Sequence, residues 1–370
     1  MHFKVTANDI NHGMGMVVRA LSSRPTKPVY DGVFLETVED GVQLTCTNGE
    51  MTIKSMVPAT VQEDGCALMP AKLLHELLRK LEGDIDIQSN AQTLTGTIRG
   101  GESKTDMVCM NAVDFPEISE VNSDFVTTMP QSKFASAISR ITFALSTDET
   151  RRILTGCLME VYREEVRFVC LDGFRLAMQK VYVSHPIKAE AESQSAIIPG
   201  NIVNEISRMV GDGQEDIVIT CSATHMMANL GKTSVYSPLI AGEYINYKQI
   251  LPATWTTAVK VNRQQLIGAI ERAALIAREG NNLLKLHVDD KVMTIYANTE
   301  RGNAVEKVEV AFDGAPLDIA FNARYLLDVI RNIDTPEMAM RYNTNVSPCV
   351  VCPVTGNQYT YLVLPVRTID

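Results

Sequence analysis

The two cysteines of Cys349-Val350-Val351-Cys352 have the spacing of a zinc or redox motif. A structural zinc site needs four ligands, and neither a second cysteine pair nor a histidine lies near this one in the sequence. In a strand, side chains three positions apart point to opposite faces of the sheet. We therefore expect neither a metal site nor a redox site at this segment.

Other residue types that enzymes use are also present, but not in catalytic arrangements. Gly13-Met14-Gly15 lacks the third glycine and the strand-turn context of a nucleotide-binding loop. The carboxylates of Asp84-Ile85-Asp86 alternate along a predicted strand, which is typical of a solvated edge, and nothing resembles a nucleophile with its base. The histidines form no cluster: His2, His12, His75, His185, His225 and His287. We predict no catalysis, no metal and no cofactor.

Composition indicates an ordinary globular chain with an acidic surplus. Of the 370 residues, 45% are hydrophobic and 21% charged, and the net charge is -10. A length of this kind suggests two or three domains. The negative net charge argues against a typical nucleic-acid-binding protein, although a basic inner face can coexist with an acidic exterior. Because only 6% of residues are aromatic, the composition does not favour stacking on single strands.

The N-terminus and the cysteines favour a reduced, cytoplasmic protein. No apolar stretch follows Met1, and no run approaches the length of a membrane span. The eight cysteines are scattered, mostly in apolar runs that look like strands, where a free thiol behaves as a small hydrophobic group.

Three segments of the chain share one order of elements, beginning with a short strand and an amphipathic helix. In the second segment, Phe134, Ile138 and Ile141 follow the strand Phe125-Val126-Thr127. Leu266, Ile267, Ile270 and Ala274 repeat the pattern in the third, and a helix over 10–21 is the counterpart in the first. A predicted hairpin follows each helix: Val33–Glu36 with Val42–Cys46, Cys157–Val161 with Val166–Cys170, and Leu284–Val288 with Val292–Tyr296.

A turn and a second helix complete the shared order. The predicted turns are Asn48-Gly49, Asp172-Gly173 and Asn298-Thr299, which lie 124 and 126 residues apart. The second helices carry, in order along the chain, Leu73, Leu74, Leu77, Leu78 and Leu81; Ile202, Ile206 and Met209; and Tyr325, Leu326, Val329 and Ile330. Each repeat is therefore predicted to contain, in order, a strand, a helix, further strands, a second helix and further strands. This predicts three α+β domains, at 1–124, 125–255 and 256–370.

This arrangement resembles the bacterial sliding clamp, the beta subunit of the replicative DNA polymerase, over essentially the whole chain. The segments that carry the resemblance are Arg24-Pro25-Thr26-Lys27-Pro28-Val29, Asp114-Phe115-Pro116, Asp172-Gly173-Phe174-Arg175-Leu176-Ala177, Ile250-Leu251-Pro252, Phe321-Asn322-Ala323-Arg324-Tyr325-Leu326-Leu327-Asp328-Val329 and Leu364-Pro365-Val366-Arg367. Each is short, but their order and intervals within a threefold repeat are specific. Departures from the family pattern indicate a divergent bacterial or phage-like member.

The resemblance implies three clamp domains in a chain and a head-to-tail dimeric ring. Helices line the hole, sheets form the outside, and the sheets continue across domain and subunit boundaries. The implied function is a non-catalytic processivity factor that encircles duplex DNA regardless of sequence. The implied partners are a second copy of the chain, the replicative polymerase, the clamp loader and other proteins that carry a short clamp-binding motif.

Sequence-independent DNA binding calls for basic side chains that attract phosphate. Basic residues lie away from the apolar faces of the predicted helices, and Arg24 matches a family position near DNA. An ordinary solvated helix face would look the same. The residues we expect to face DNA are Arg24, Lys72, Arg79, Lys80, Lys133, Arg140, Arg152 and Arg208.

The resemblance also implies a groove between the second and third domains that binds the partner motif. Such a site is apolar, with a few polar anchors, which we assign to Asn322 and Arg175. An alternative is that these are plain core residues, although a free C-terminus usually frays unless it is docked. The expected groove residues are Arg151, Leu154, Thr155, Leu171, Gly173, Phe174, Arg175, Leu176, Ile245, Ile250, Asn322, Tyr325, Val346, Leu362, Leu364, Pro365, Val366 and Arg367.

Three groove positions depart from the family pattern. Phe174 stands where a histidine is common, Leu171 replaces a small polar residue, and Ile245 replaces a proline. These exchanges predict a more apolar groove with an altered motif preference.

The joint between subunits, by the same resemblance, lies between the first domain of one chain and the third of the next. The expected joint residues are Lys72, Leu77, Thr105, Met107, Leu275, Ile276 and Glu300. For Leu275 and Ile276, which end an apolar helix face, an internal core contact is the alternative.

Two other functions stay open from the sequence. An enzyme with a site at a domain boundary would show converging residues of perturbed pKa. A repeat-built protein scaffold would show no basic stripe on its inner helices.

Overall fold

A computed structural model of the protein describes residues 1–183, 193–211 and 215–368. His185 lies outside these residues. Within them, no helix is long and apolar enough to cross a membrane.

The elements of the first repeat follow the predicted order. They are β1 (His2–Thr6), α1 (Ala7–Val17), β2 (Gly32–Val38), β3 (Gly41–Thr47), β4 (Thr52–Pro58), β5 (Thr60–Glu63), β6 (Cys66–Pro70), α2 (Ala71–Leu78), β7 (Asp84–Asn90), β8 (Thr95–Gly100) and β9 (Ser103–Val108).

The second and third repeats have the same order of strand, helix, strands, helix and strands. The second contains β10 (Phe125–Pro130), α3 (Gln131–Ser139), β11 (Gly156–Val161), β12 (Glu165–Leu171), β13 (Arg175–Tyr182), β14 (Gln194–Pro199), α4 (Gly200–Met209), β15 (Asp216–Cys221), β16 (His225–Asn229), β17 (Thr233–Pro238) and α5 (Tyr247–Ile250). The third contains β18 (Thr257–Asn262), α6 (Arg263–Ala277), β19 (Leu283–Asp289), β20 (Val292–Thr299), β21 (Gly302–Gly314), β22 (Leu317–Asn322), α7 (Ala323–Arg331), β23 (Glu337–Tyr342), β24 (Cys349–Pro353) and β25 (Tyr359–Val363).

The first helix, α1, is shorter than predicted. It contains the Gly13-Met14-Gly15 segment, whose first glycine has a role in packing. The Thr6 hydroxyl caps α1 by accepting from the Asp9 amide, and a 3-10 turn replaces the α-helix after Val17. A Cβ atom on Gly13 would lie 2.4 Å from Cγ2 of Val57. This glycine therefore lets α1 pack closely on strand β4.

Two details of the strand predictions were wrong. Asn298 and Thr299 are paired within β20, opposite Asn303 and Gly302, so the third turn lies at residues 300–301. Strand β7 lies inside its sheet between β1 and β8, so Asp84 and Asp86 do not mark an edge. Asp86 Oδ2 instead lies 2.9 Å from the His2 ring nitrogen Nε2.

The strands form three sheets. Their strand orders are β5-β1-β7-β8-β9, then β10-β15-β16-β17-β4-β3-β2-β6, and last β14-β11-β12-β13-β25-β24-β23-β18-β21-β20-β19-β22. The chain forms two compact units, one of residues 1–135 with 201–239, and one of residues 136–200 with 240–370. The first two sheets belong to the first unit and the third sheet to the second.

Sheets continue from one repeat into the next, as predicted. Strand β17 of the second repeat pairs antiparallel with β4 of the first, and β25 of the third pairs with β13 of the second. The equivalent strands that remain are β9 and the first part of β21. Within the described residues, β9 pairs only with β8, and residues 302–309 of β21 pair only with β20. These are two open sheet edges.

Candidate functional site

The floor of the predicted groove is an apolar cluster in the second unit. It is formed where β11, β12, β13 and β25 meet residues 240–251. Its buried members are Leu154, Leu158, Val169, Leu171, Leu176, Met178, Ile197, Ile240, Tyr247 and Leu362. Partly exposed side chains pack against this floor: Ile153, Tyr244, Ile250, Leu251 and Leu364. An apolar floor below partly exposed apolar side chains is what an apolar linear peptide requires.

The segment after β25 is docked by backbone hydrogen bonds. The Leu364 amide donates to the Phe174 carbonyl at 2.8 Å, and the Val366 amide donates to the Ala320 carbonyl at 2.8 Å. Leu364 and Pro365 are half-buried, whereas Val366 is exposed. These bonds hold the segment along the groove and expose the side chain of Val366 beside it.

Arg175 is buried and forms two ion pairs within the chain. Its side chain is 9% exposed and donates to Asp172 Oδ2 at 3.0 Å and to Asp328 on α7. The guanidinium carbon also lies 4.8 Å from the centre of the Tyr325 ring. Arg175 therefore ties strand β13 to helix α7 through Nε and Nη1. Its role as a peptide anchor stays a prediction.

An aromatic pair forms part of the groove rim. The rings of Phe174 and Tyr325 are stacked with their centres 5.3 Å apart, and Phe174 is 52% exposed. The turn that presents Phe174 is built by Asp172, whose Oδ1 accepts from the amides of Phe174 and Arg175. Gly173 has φ of 94° and stands close to the Arg151 guanidinium, so a side chain at this position would be strained.

The side-chain amide of Asn322 forms a hydrogen bond within the described chain through its oxygen but not through its nitrogen. Its Oδ1 caps helix α7 by accepting from the Arg324 amide at 3.0 Å. Its Nδ2 has no hydrogen-bond acceptor among the described residues, so this group can donate to a peptide carbonyl.

The remaining groove predictions fall into two groups. Arg151 and Thr155 lie beside the floor, where Arg151 donates to Asp148 at 3.1 Å and the Thr155 hydroxyl donates to the Arg152 carbonyl at 2.8 Å. Ile245, Val346 and Arg367 are exposed. In the described part of the chain, no hydrogen bond, ion pair or ring contact ties the side chains of these three to the floor.

Sequence reasoning missed the residues that fix the 244–251 segment to the sheet. The Tyr247 hydroxyl donates to buried Glu160, and Lys248 Nζ donates to the other Glu160 oxygen at 2.9 Å. Burial raises the pKa of Tyr247 and of Tyr244 well above the ordinary value. The tyrosines at positions 244 and 247, just before Ile250-Leu251-Pro252, were the available signal in the sequence.

Some of the basic residues that we expect to face DNA form ion pairs within the chain, and others do not. Three have carboxylate partners: Lys72 with Asp31 at 3.2 Å, Arg140 with Asp334 at 2.6 Å, and Arg208 with Glu205 at 3.5 Å. The others are exposed, and no carboxylate of the described chain lies within 4.0 Å of their charged groups: Arg24, Arg79, Lys80, Lys133 and Arg152.

The acidic partner of Arg140 has a perturbed pKa. Burial alone would raise the pKa of Asp334, but the Tyr359 hydrogen bond and the Arg140 guanidinium hold it below its ordinary value. Arg140 is therefore partly neutralised, and the unpartnered residues are better suited to attract phosphate.

The predicted joint residues include exposed apolar side chains. Leu275 is 62% exposed at the end of α6, which argues against an internal core contact, and Ile276 and Leu77 are half-buried. Leu73, placed by its pattern beside buried leucines, is 56% exposed on α2.

The other joint predictions include one correction. Thr105 is half-buried and Glu300 is exposed. Met107 is buried at 6% exposure, because the alternation of β9 turns it inward and leaves Val108 outside.

The cysteines, including the pair at 349 and 352, are all free thiols, and only Cys66 is exposed. Burial raises the pKa of Cys349 and of Cys352. No group of three or more His, Cys, Asp or Glu side chains within the described ranges is arranged to hold a metal ion.

Comparison with known families gives one result over nearly the whole chain. Residues 1–119 match the family model of the DNA polymerase III beta subunit, N-terminal domain. Residues 128–246 match the model of the central domain, and residues 248–367 match that of the C-terminal domain.

Full-length relatives and solved structures agree with these matches. The chain is 29% identical to the beta sliding clamp of Synechococcus elongatus, covering 97% of each chain. It is 27% identical to the beta sliding clamp of Staphylococcus aureus, covering all of both. The crystal structure of the DNA polymerase sliding clamp from Bacillus subtilis superposes with a TM-score of 0.93 at 27% identity, with complete coverage of both chains. A sliding clamp from Pseudomonas aeruginosa bound to griselimycin gives the same values.

Proposed function

The chain belongs to the DNA polymerase III beta subunit family, and on that premise we propose that it is a DNA sliding clamp that encircles duplex DNA and tethers the polymerase to it. It is a non-catalytic subunit with the three-domain clamp fold. Its proposed domains are residues 1–124, 125–255 and 256–370.

The observation that carries the ring is the way each repeat joins the next. The same antiparallel contact joins β4 to β17 and β13 to β25. The third strand of this kind is the first part of β21, and the third partner is β9. In the described chain, residues 302–309 of β21 pair only with β20, and β9 pairs only with β8. If β21 pairs with β9 of a second copy, two identical joints close a ring of six repeats and remove every such edge.

The internal repeat also predicts the register of that joint. In the joint within the first unit, Val235 pairs with Ile53 and Ser234 with Lys54. Aligned through the turns of their hairpins, Thr105 corresponds to Val235 and Ala304 corresponds to Ile53. The joint between chains is therefore expected to pair Thr105 with Ala304 and Lys104 with Val305.

Helices support the same joint. In each unit, an arginine at the end of the first helix of one repeat contacts an acidic residue of the second helix, or of the loop after it, in the next: Arg19 with Glu205, and Arg140 with Asp334. In the third repeat, the first helix is α6, which has no such partner among the described residues. Leu275, near its end, is exposed. In the ring it packs against α2 of the other chain, where Leu73 and Leu77 are available.

The basic residues without carboxylate partners supply the attraction for DNA. Phosphate contacts of Arg24, Arg79, Lys80, Lys133 and Arg152 do not depend on base sequence, so the ring is free to slide. The groove binds the short motif of the polymerase, the clamp loader and other clamp-binding proteins, through its apolar floor and the Asn322 amide.

A primer-extension assay with the cognate polymerase and clamp loader tests this function. Wild-type chain should lengthen the products made in one binding event. Leu364→Ala removes an apolar side chain from the groove and should shorten them towards the length made without the chain. Val354→Ala removes a partly exposed apolar side chain elsewhere and should leave them long. Equal product lengths with and without wild-type chain would contradict the proposal.

A further inference from the structure

The floor of the groove continues across the third sheet as a row of cross-strand neighbours. Leu176 on β13 pairs with Leu362 on β25, and Leu362 pairs with Val350 on β24. Val350 in turn pairs with Arg341 on β23. Residues directly opposite each other in antiparallel strands have their side chains on the same face of the sheet. The row therefore leads from the groove floor to Arg341.

The alternation of side chains along these strands supports this placement. Tyr361, Val351 and Tyr342, each next in sequence to a member of the row, point to the opposite face and are at most 1% exposed. Arg341 is partly exposed. Its backbone lies about 10 Å from that of Leu362, because neighbouring strands are spaced by about 4.8 Å. About three residues of an extended peptide span this distance.

Trp255 forms an aromatic platform for Arg341. The guanidinium carbon lies 4.0 Å from the centre of the Trp255 ring. A guanidinium that stacks on a ring still presents the N–H donors at its edge. Trp255 is 47% exposed and is the only tryptophan of the chain. Part of the ring is therefore open to a ligand beside the guanidinium.

Hydrogen bonds fix the segment that carries the tryptophan to the end of β23. Asn343 Nδ2 donates to the Thr254 carbonyl at 2.8 Å, and the Thr256 hydroxyl donates to the Asn343 carbonyl at 2.8 Å. The Thr256 amide donates to the Tyr342 carbonyl at 3.0 Å. The platform is thus held in place before any ligand binds, which lowers the entropic cost of binding.

The charge of Arg341 has no partner in the described chain. No carboxylate there lies within 4.0 Å of its guanidinium, and no hydrogen-bond acceptor there takes its donors. Arg151 and Arg175, at the groove itself, do have carboxylate partners. Acidic residues outnumber basic ones by 44 to 34 in the whole chain, yet none of the described ones neutralises Arg341. A carboxylate from another molecule would supply the missing acceptor.

We propose that the Trp255–Arg341 pair extends the groove and binds an aspartate or glutamate that flanks the clamp-binding motif of a partner protein. The carboxylate accepts from the edge of the Arg341 guanidinium, and the peptide beside it packs on the exposed part of the Trp255 ring. Val346, which is 55% exposed, lies in the loop that joins β23 to β24 and adds apolar surface beside the pair. The inference rests on the proposed function of the groove and adds a preference for an acidic flank.

Two fluorescein-labelled peptides and fluorescence anisotropy provide the test. Both peptides contain the clamp-binding motif of the cognate polymerase, and one has an aspartate three residues before the motif and another three residues after it. The other peptide has asparagine at both positions. Wild-type protein should bind the aspartate peptide about fivefold more tightly, the upper range for an exposed ion pair.

Two variants separate a local contact from general attraction. Arg341→Gln should lower the affinity for the aspartate peptide to that for the asparagine peptide, and should leave the latter affinity unchanged. Lys291→Gln is the matched control. It removes an exposed positive charge at the turn between β19 and β20, away from the row, and should keep the preference of the wild type.

The emission of Trp255 gives a second measurement on the wild-type protein. Because the chain has no other tryptophan and the unlabelled peptides contain none, intrinsic fluorescence reports on this site alone. At saturation, the aspartate peptide should change the emission more than the asparagine peptide does. Equal affinities of the wild type for the two peptides, or a preference that survives Arg341→Gln, would overturn the proposal and leave the groove intact. If neither peptide binds the wild type, the groove itself fails and the extension fails with it.

Discussion

Arg175 on strand β13 donates to Asp328 on helix α7, and this ion pair joins the second repeat to the third beside the apolar groove. The same guanidinium is held by Asp172 at 3.0 Å and faces the rings of Phe143 and Tyr325. An arginine in the groove is thus a structural tie, and it sets the spacing of the two walls.

Arg175→Met should lower the free energy of unfolding of the second unit by about 3 kcal/mol, because it leaves two carboxylates without their buried partner. Urea denaturation measures this. Arg331→Met is the matched control, since its partner Glu271 is exposed, and it should cost less than about 1 kcal/mol. Similar losses of unfolding free energy in the two variants would show that the Arg175 contacts stabilise the fold no more than an exposed ion pair does.

The register of the proposed joint can be tested by disulfide trapping. In a Cys66→Ser background, which removes the exposed thiol, Thr105→Cys with Ala304→Cys should form covalent dimers on oxidation, seen on a non-reducing denaturing gel. The control Thr105→Cys with Glu306→Cys displaces one thiol by two residues, about 7 Å along the strand, and should cross-link far less. Equal cross-linking in both, or none in either, would refute this register.

Basic residues without partners should dominate DNA binding. Arg79→Ala with Lys80→Ala should reduce the slope of log affinity against log salt by up to about two, because each phosphate that the protein no longer neutralises lowers the slope by nearly one. Arg272→Ala with Arg331→Ala removes two arginines that are paired with Glu306 and Glu271, and should change the slope less. The measurement is DNA binding over a salt series, and the reverse ranking would contradict the assignment.

Acid should weaken the second unit partly through Asp334. Its folded pKa lies below the ordinary value, which is about 3.9 in an unfolded chain. The carboxylate therefore contributes its full stability above that value and loses it as the pH falls through the folded pKa. The difference in unfolding free energy between wild type and Asp334→Asn should shrink over this acidic range. A difference that stays constant as the pH falls would contradict this role of Asp334.

Much of the fold could be predicted because periodicity and order repeat three times. The hairpins, the paired helices and the continuation of sheets between repeats all follow from those patterns. The third turn and strand β7 were misplaced because a hairpin's length and a strand's place in a sheet depend on non-local pairing, which a local pattern does not encode.

The site was predictable in outline but not in its contacts. The apolar floor follows from leucines in strands, whereas the partners of Arg175 include an aspartate 153 residues away. The exposure of Leu73 and the burial of Met107 could not be predicted for the same reason. Which face of a helix or strand is buried depends on the elements that pack against it.

Topology on DNA tests the central claim most directly. The protein is loaded onto nicked circular DNA by a clamp loader, the DNA is then linearised, and the protein that stays bound is counted. An encircling ring predicts retention on the circle and loss from the linear form, because a ring slides off free ends. Equal loss from both forms, or retention that ignores topology, would contradict the sliding-clamp account.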